Sequence, residues 1–138
     1  MEQLAKNTNV SVIFLKSISN EDRLLLLSKS TVLLYTPVNE HFGIVPVEAM
    51  YMGPIVMACN SGGPTESIRD NHSGFLLPPE PKEWSAKLAE ILEMPESQRV
   101  KIHEQAKERV KAKFDFPVFA SELDRMMKDM DGGKRKTQ

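Results

Sequence analysis

The stretch Asn39–Ser67, NEHFGIVPVEAMYMGPIVMACNSGGPTES, decides how the rest of the chain is read. Ile55–Cys59 is an unbroken apolar run between Gly53-Pro54 and Asn60-Ser61-Gly62, the pattern of a buried strand bounded by turns. Pro46–Met52 reads as a short helix: Pro46 suits the first helical position, where its missing N–H costs nothing, and Gly53-Pro54 supplies a stop. Pro64–Ile68 reads as a second short helix, reached through the Gly62-Gly63 turn.

Working outward, Thr31–Tyr35 is a strand leading into the loop Thr36-Pro37-Val38-Asn39. Asn20–Ser30 is a helix, with Asn20 as its N-cap and acidic residues in the first turn. Val10–Leu15 (VSVIFL) is a further strand, and Gly74–Leu77 the last one. Strands and helices alternating at this spacing predict a parallel α/β sheet. From Pro81 onward the pattern is helical only. Pro81–Met94 is one helix, ended by Pro95. Ser97 caps a second, in which Val100, Ala106, Val110 and Phe114 recur near the helical period. Pro117 opens a third, with Phe119, Leu123, Met126, Met127 and Met130 on one core-facing side.

Composition narrows the function classes. A chain of 138 residues with 41% apolar and 27% charged residues is that of one globular domain. Lys and Arg number 18 against 19 for Asp and Glu, so no surplus of positive charge draws in a nucleic-acid backbone. The longest apolar runs, Leu24–Leu27 and Val32–Tyr35, are far too short to span a bilayer. The start Met1-Glu2-Gln3-Leu4-Ala5-Lys6 lacks the pattern of a signal peptide, and the single Cys59 has no partner for an internal disulfide. Both suit a reducing compartment such as the cytosol. His41, His72, His103 and Cys59 lack partners at ligand spacing, so no metal site is expected. His41 is an exposed bystander, His72 and His103 are surface residues, Cys59 is buried filler, and Asp129-Met130-Asp131 is a helix terminus.

The chemistry concentrates between Glu40 and Gly63. The strand ending at Tyr35 delivers the chain to the carboxyl edge of the sheet, where α/β proteins bind ligands. The backbone N–H groups of Phe42, Gly43, Ile44 and Val45 then lie at a helix start, where unpaired donors and the helix dipole favour an anion. Gly43 permits a close approach, and a phosphate or diphosphate is the natural guest. Glu40 and Glu48 flank these amides. Carboxylates are poor phosphate ligands but good acceptors for hydroxyl groups, so a diphosphate held between two polyols, a nucleotide sugar, meets both requirements. Ser61, Gly62 and Gly63 follow the next strand at the same edge and form a second wall.

The combined string Glu40-x-Phe42-Gly43-Ile44, Glu48 eight residues after Glu40, Ala49-Met50-x-x-Gly53, a strand, then Ser61-Gly62-Gly63-Pro64-x-Glu66-Ser67-Ile68 resembles the donor-binding half of the GT-B retaining glycosyltransferases of family four. Tyr35-Thr36-Pro37 and Asn39-Glu40-His41 bring it nearest to the alpha-1,3/1,6-mannosyltransferase subfamily of dolichol-linked oligosaccharide assembly. The resemblance runs from Val10 to about Met127. It implies an incomplete Rossmann-like nucleotide-sugar-binding domain over residues 1–80, C-terminal helices packing on it over 81–131, and a disordered tail over 132–138. It implies transfer of mannose from GDP-mannose to a dolichol-diphosphate-linked oligosaccharide at the cytosolic face of the endoplasmic reticulum, in N-glycan precursor synthesis and without a metal or other cofactor. Glu40 would be the catalytic residue, holding the donor sugar and stabilising the oxocarbenium-like transition state. Phe42, Gly43, Ile44 and Val45 would offer their amides to sugar and diphosphate, and Glu48 would accept the ribose hydroxyls. Two alternatives stay open: a UDP-sugar donor, since the motif does not read the base, and a non-catalytic nucleotide- or partner-binding remnant.

The same resemblance implies an acceptor domain earlier in the chain, and a basic Arg and Lys for the diphosphate, none of which lies in this sequence. Val10–Leu15 then corresponds to the third strand of a 3-2-1-4-5-6 sheet and Thr31–Tyr35 to the fourth, with the two strands between them missing. The expectation is a segment 10–15 either detached or paired non-natively beside 31–35, an open apolar edge, and a marginally folded chain that is inactive alone.

Overall fold

In the computed structural model, which describes residues 8–114, 117, 121 and 124–129, Ile55–Cys59 is the middle strand of a three-stranded parallel sheet. The elements in chain order are α1 (Asn20–Lys29), β1 (Val32–Tyr35), α2 (Ile44–Met52), β2 (Ile55–Cys59), α3 (Gly63–Ser67), β3 (Phe75–Leu77), α4 (Pro81–Glu93) and α5 (Glu96–Lys113). The strand order is β1-β2-β3, with Val32 opposite Ile55 and Met57 opposite Phe75. The α/β parallel architecture read from the sequence is therefore the observed one.

Alternation along β2 explains its continuous hydrophobicity. Val56 and Ala58 join a core with Leu24 and Leu27 of α1, Val47 to Met52 of α2, and Ala106 and Val110 of α5. Ile55 and Met57 face the other way, onto Phe75, Leu77 and Ile91. A parallel strand covered on both faces must be apolar throughout. Helix α2 is buried along Pro46–Met52 because it lies between α1, α5 and the sheet. Met126 and Met127 pack against the same core, as expected of them. Phe119, Leu123, Met130, Asp131 and the tail 132–138 lie outside the described residues.

Several boundaries are corrected. Ser19, not Asn20, caps α1: its hydroxyl accepts from the Asp22 amide at 3.0 Å. Helix α2 begins two residues earlier than expected, which puts Pro46 at its third position, still inside the turn whose N–H groups lack helical acceptors. Helix α3 is shifted back to Gly63–Ser67, β3 shortens to Phe75–Leu77, and Gly74 forms an isolated bridge with Asp70. Helix α5 starts at Glu96 behind Pro95, so Ser97 is inside it rather than at its cap.

The largest correction is at the start. Residues 10–16 form neither strand nor helix and all are exposed, Ile13 by 79%. Of the two outcomes expected for this segment, the detached one is realised. β1 is consequently an edge strand, and beneath it Leu34, Thr36, Cys59, Trp84 and Leu88 line an apolar groove of about 440 Å³ against α4. Edge strands with apolar side chains recruit further strands. Leu34→Lys is expected to lower self-association in light scattering with little change in stability, since Leu34 is 47% exposed. Met57→Ala, at a side chain fully buried in β2, is expected to cost about 2–5 kcal/mol in denaturant unfolding.

Candidate functional site

The loops that leave β1 and β2 at the carboxyl edge are locked together before any ligand is considered. The Gly63 amide donates to the Glu40 carbonyl at 2.6 Å, and the Asn39 amide donates to Ser61 Oγ at 3.1 Å. Below them the Cys59 thiol donates to the Thr36 carbonyl at 3.3 Å, and burial pushes its pKa up, which makes it a structural thiol. The approach is so close that side chains are excluded. A Cβ at Gly62 would lie 2.2 Å from the Glu40 carbonyl oxygen, and one at Gly63 would lie 2.9 Å from the Gly43 nitrogen. Gly62 also holds φ +62° with ψ −148°, a conformation open to glycine alone. Ser61, Gly62 and Gly63 thus meet the first loop directly and fix its path.

That path places Gly43 at the N-cap of α2 with no side-chain cap. Among the described residues, no loop hydrogen bond engages the amides of Phe42, Gly43 or Ile44. The first-turn donors and the positive end of the helix dipole are left for another acceptor. Gly43 is buried, and a Cβ there would crowd Pro46 Cγ at 3.1 Å. Phe42 and Ile44 are about half exposed, and the Phe42 ring meets Phe114 edge-on at 6.0 Å between centroids.

The two carboxylates differ in setting. Glu40 is half-buried at the loop's start, and its carboxylate acts on the Tyr35 hydroxyl. The Tyr35 pKa is raised by burial first, and then by the Glu40 carboxylate. Glu48 is buried in α2, at 4% exposure. Arg23 Nη2 of α1 donates to Glu48 Oε1 at 2.9 Å, while Glu48 Oε2 and Arg23 Nε are both covered and have no partner among the described residues. Burial pushes the Glu48 pKa up, and Arg23 opposes it.

The sequence assigns no site role to Tyr35 or Arg23, though the latter carries a signal. Leu24 and Leu27 mark the buried face of α1, and Arg23, four residues before Leu27, lies on that same face. Two histidines are also corrected: His72 and His103 are half-buried, each with a covered Nδ1 lacking a partner among the described residues, and burial followed by Lys107 lowers the His103 pKa against an opposing Glu104. His41 is exposed, as expected. Among the described residues, no group of His, Cys, Asp and Glu is arranged to hold a metal ion, and no helix is long and apolar enough to cross a membrane.

The family described as Glycosyl transferases group 1 matches residues 1–109 of this chain. The chain is 45% identical over 112 residues to the alpha-1,3/1,6-mannosyltransferase ALG2 of Homo sapiens, covering 81% of this chain and 27% of the human protein. It is 39% identical over 124 residues to the alpha-1,3/1,6-mannosyltransferase ALG2 of Rhizomucor pusillus, covering 89% of this chain and 27% of that protein. It therefore spans about a quarter of the length of these curated relatives. Among solved structures, Anabaena Alr3699/HepE in complex with UDP-glucose matches with a TM-score of 0.73 at 25% identity, over 93% of this chain and 35% of that one. The C-terminal domain of a glycosyl transferase group 1 family protein (LpcC) from Francisella tularensis matches with a TM-score of 0.69 at 24% identity, over 82% and 60% of the two chains, a likeness of fold. The sheet described above is that of a GT-B C-terminal domain.

Two measurements check the site's construction. Gly62→Ala combines a forbidden backbone region with a clash against a carbonyl, and is expected to destabilise by more than about 2 kcal/mol. Gly53→Ala, with φ +143° but open space around it, costs less. A raised folded-state pKa means that the fold favours protonated Glu48. That stability is full below the ordinary glutamate value near 4.5 and is lost as pH rises through the raised one. Glu48→Gln is expected to flatten this loss in unfolding curves recorded against pH.

Proposed function

Because this chain belongs to the group 1 glycosyl transferases, we propose that it is the donor-binding half of a retaining mannosyltransferase. In this reading GDP-mannose is the donor and a dolichol-diphosphate-linked oligosaccharide the acceptor, in N-glycan precursor synthesis at the cytosolic face of the endoplasmic reticulum. The mannose and the lipid-linked acceptor rest on the relatives named mannosyltransferases, of which this chain spans about a quarter.

The observation that carries the donor site is the pairing of an uncapped helix start with the covered, half-partnered carboxylate of Glu48. The amides of Phe42, Gly43, Ile44 and Val45 receive the diphosphate and the sugar next to it. Hydrogen-bond donors fixed in advance around a leaving anion lower the barrier, because they need no reorganisation as its charge develops. Glu48 accepts the ribose hydroxyls. Glu40, whose carbonyl is pinned by Gly63, keeps its carboxylate beside the donor sugar and stabilises positive charge at the anomeric carbon. Ser61, Gly62 and Gly63 hold that loop in place and complete the wall. The chemistry needs no resident cofactor in this reading, since fixed amides and the helix start stabilise the leaving diphosphate. In this reading these residues supply the donor half of the site.

A uridine diphosphate sugar is the second reading, favoured by the UDP-glucose held in the Anabaena HepE structure. Two-dimensional NMR titration of this chain, which reads millimolar affinities, distinguishes them. GDP is expected to shift the amides of Phe42–Val45 at lower concentration than UDP does, and Glu48→Ala is expected to weaken GDP binding at least about tenfold. A preference for UDP selects the second reading. Equal indifference to both nucleotides overturns the donor site and leaves a non-catalytic remnant.

A further inference from the structure

The Arg23–Glu48 pair is half-used. A buried guanidinium and carboxylate serving only the fold close as a fork, two parallel N–H···O bonds that satisfy both oxygens. Here a single bond joins Nη2 to Oε1 at 2.9 Å, while Nε on one side and Oε2 on the other have lost contact with solvent without gaining a partner. Buried polar atoms left this way carry the full cost of desolvation. A hydroxyl has the chemistry to relieve either atom, since it donates to Oε2 or accepts from Nε.

The placement supports the same conclusion. Arg23 stands in the first turns of α1, capped by Ser19, and reaches across to α2 within five residues of its uncapped start. The carboxylate it holds belongs to the helix whose first amides face the proposed diphosphate. Arg23 is about one-third exposed while Glu48 is almost wholly covered, so the cation side of the pair is the one that meets solvent.

We propose that Arg23 is a positioning residue for ribose recognition: its one bond to Oε1 fixes the rotamer of Glu48 and holds its charge, keeping Oε2 for a hydroxyl of the nucleotide. This rests on the donor-site reading above, in which Glu48 receives the ribose. Arg23 supplies selectivity for a sugar bearing its 2′- and 3′-hydroxyls and adds little to the grip on the diphosphate. A role in folding alone would weaken every nucleotide equally. A positioning role changes the ratio between a nucleotide with these hydroxyls and one without them.

The test is NMR titration of the 138-residue chain with GDP and with 2′,3′-dideoxy-GDP, with folding of each variant checked by amide dispersion. The unmodified chain is expected to prefer GDP by about tenfold or more, the worth of hydroxyl bonds to a charged acceptor. Glu48→Ala is expected to abolish that preference. Arg23→Met should reduce it to under about threefold while dideoxy-GDP binds nearly as before, and Arg23→Lys, which keeps the charge and one donor, should restore most of it. If Arg23→Met does not fold, Arg23→Gln, a neutral donor of similar reach, is read in its place. A folded Arg23→Met or Arg23→Gln chain that keeps the full preference, while Glu48→Ala loses it, overturns the role of Arg23 and leaves the donor site standing. Failure of Arg23→Lys to restore the preference overturns it as well. Absence of any GDP response in the unmodified chain overturns both.

Discussion

The bond from the Gly63 amide to the Glu40 carbonyl, 2.6 Å long, is the constraint on which the rest of the edge depends. It joins the loop after β1 to the loop after β2 at a separation that leaves no volume for a side chain on either Gly62 or Gly63. Because the loops touch, the path from Glu40 to Gly43 is set by the sheet and not by the loop's own preferences. A loop held this way orders its amides before a ligand arrives, so the ordering entropy is met in folding and not in binding. The Gly62-Gly63 pair serves recognition through packing: it holds the first loop close, and that loop in turn aims the start of α2.

A second fastening acts on the other end of the same layer. Arg109 donates from Nε to the Ser67 carbonyl at 2.6 Å and from Nη2 to the Glu66 carbonyl at 3.0 Å, and Lys113 reaches the same Glu66 carbonyl. These cations satisfy the last carbonyls of α3, where a helix dipole is negative. Helix α5 also lies along α2 through Ala106 and Val110. The trailing helix thus braces both short helices of the site, and the two loops cannot part without disturbing the core. Tyr51 adds a further tie, its hydroxyl donating to Asp124 at 3.0 Å.

What the sequence made legible follows from where each signal is stored. β2 and α2 were readable because their burial is written into consecutive residues: five apolar positions in one and a nearly unbroken apolar run closed by Gly53-Pro54 in the other. The segment 10–15 carries the composition of a strand, yet a strand exists only through a neighbour's backbone, and composition does not say whether that neighbour is present. The caps erred by a residue or two because Ser19 and Asn20, or Pro95 and Ser97, offer competing chemistry within one turn. The carboxylates and amides of the site were legible as a linear motif. The partner of Glu48 was not, since Arg23 reaches it through tertiary packing, and the only trace was a cation on the apolar side of α1.

Charge arithmetic gives the site a direction. In the proposed donor site, a nucleotide sugar would bring one negative charge on each of two phosphates to the side of Glu40 and Glu48. Against these, the start of α2 offers about half an elementary charge, and Arg23 offers one that is already committed to Glu48. The balance would stay negative, so such a site would favour recognition of hydroxyls and shape over attraction of the donor's charge. Selectivity and affinity are then separable physical tasks. The carboxylates and the interlocked loops perform the first through fixed acceptors at covered positions, where a missing hydroxyl leaves an oxygen unpaired at full cost. The second requires cations placed near the diphosphate, and Arg109 and Lys113 are engaged on α3 while Lys87 and Lys107 lie over aromatic rings.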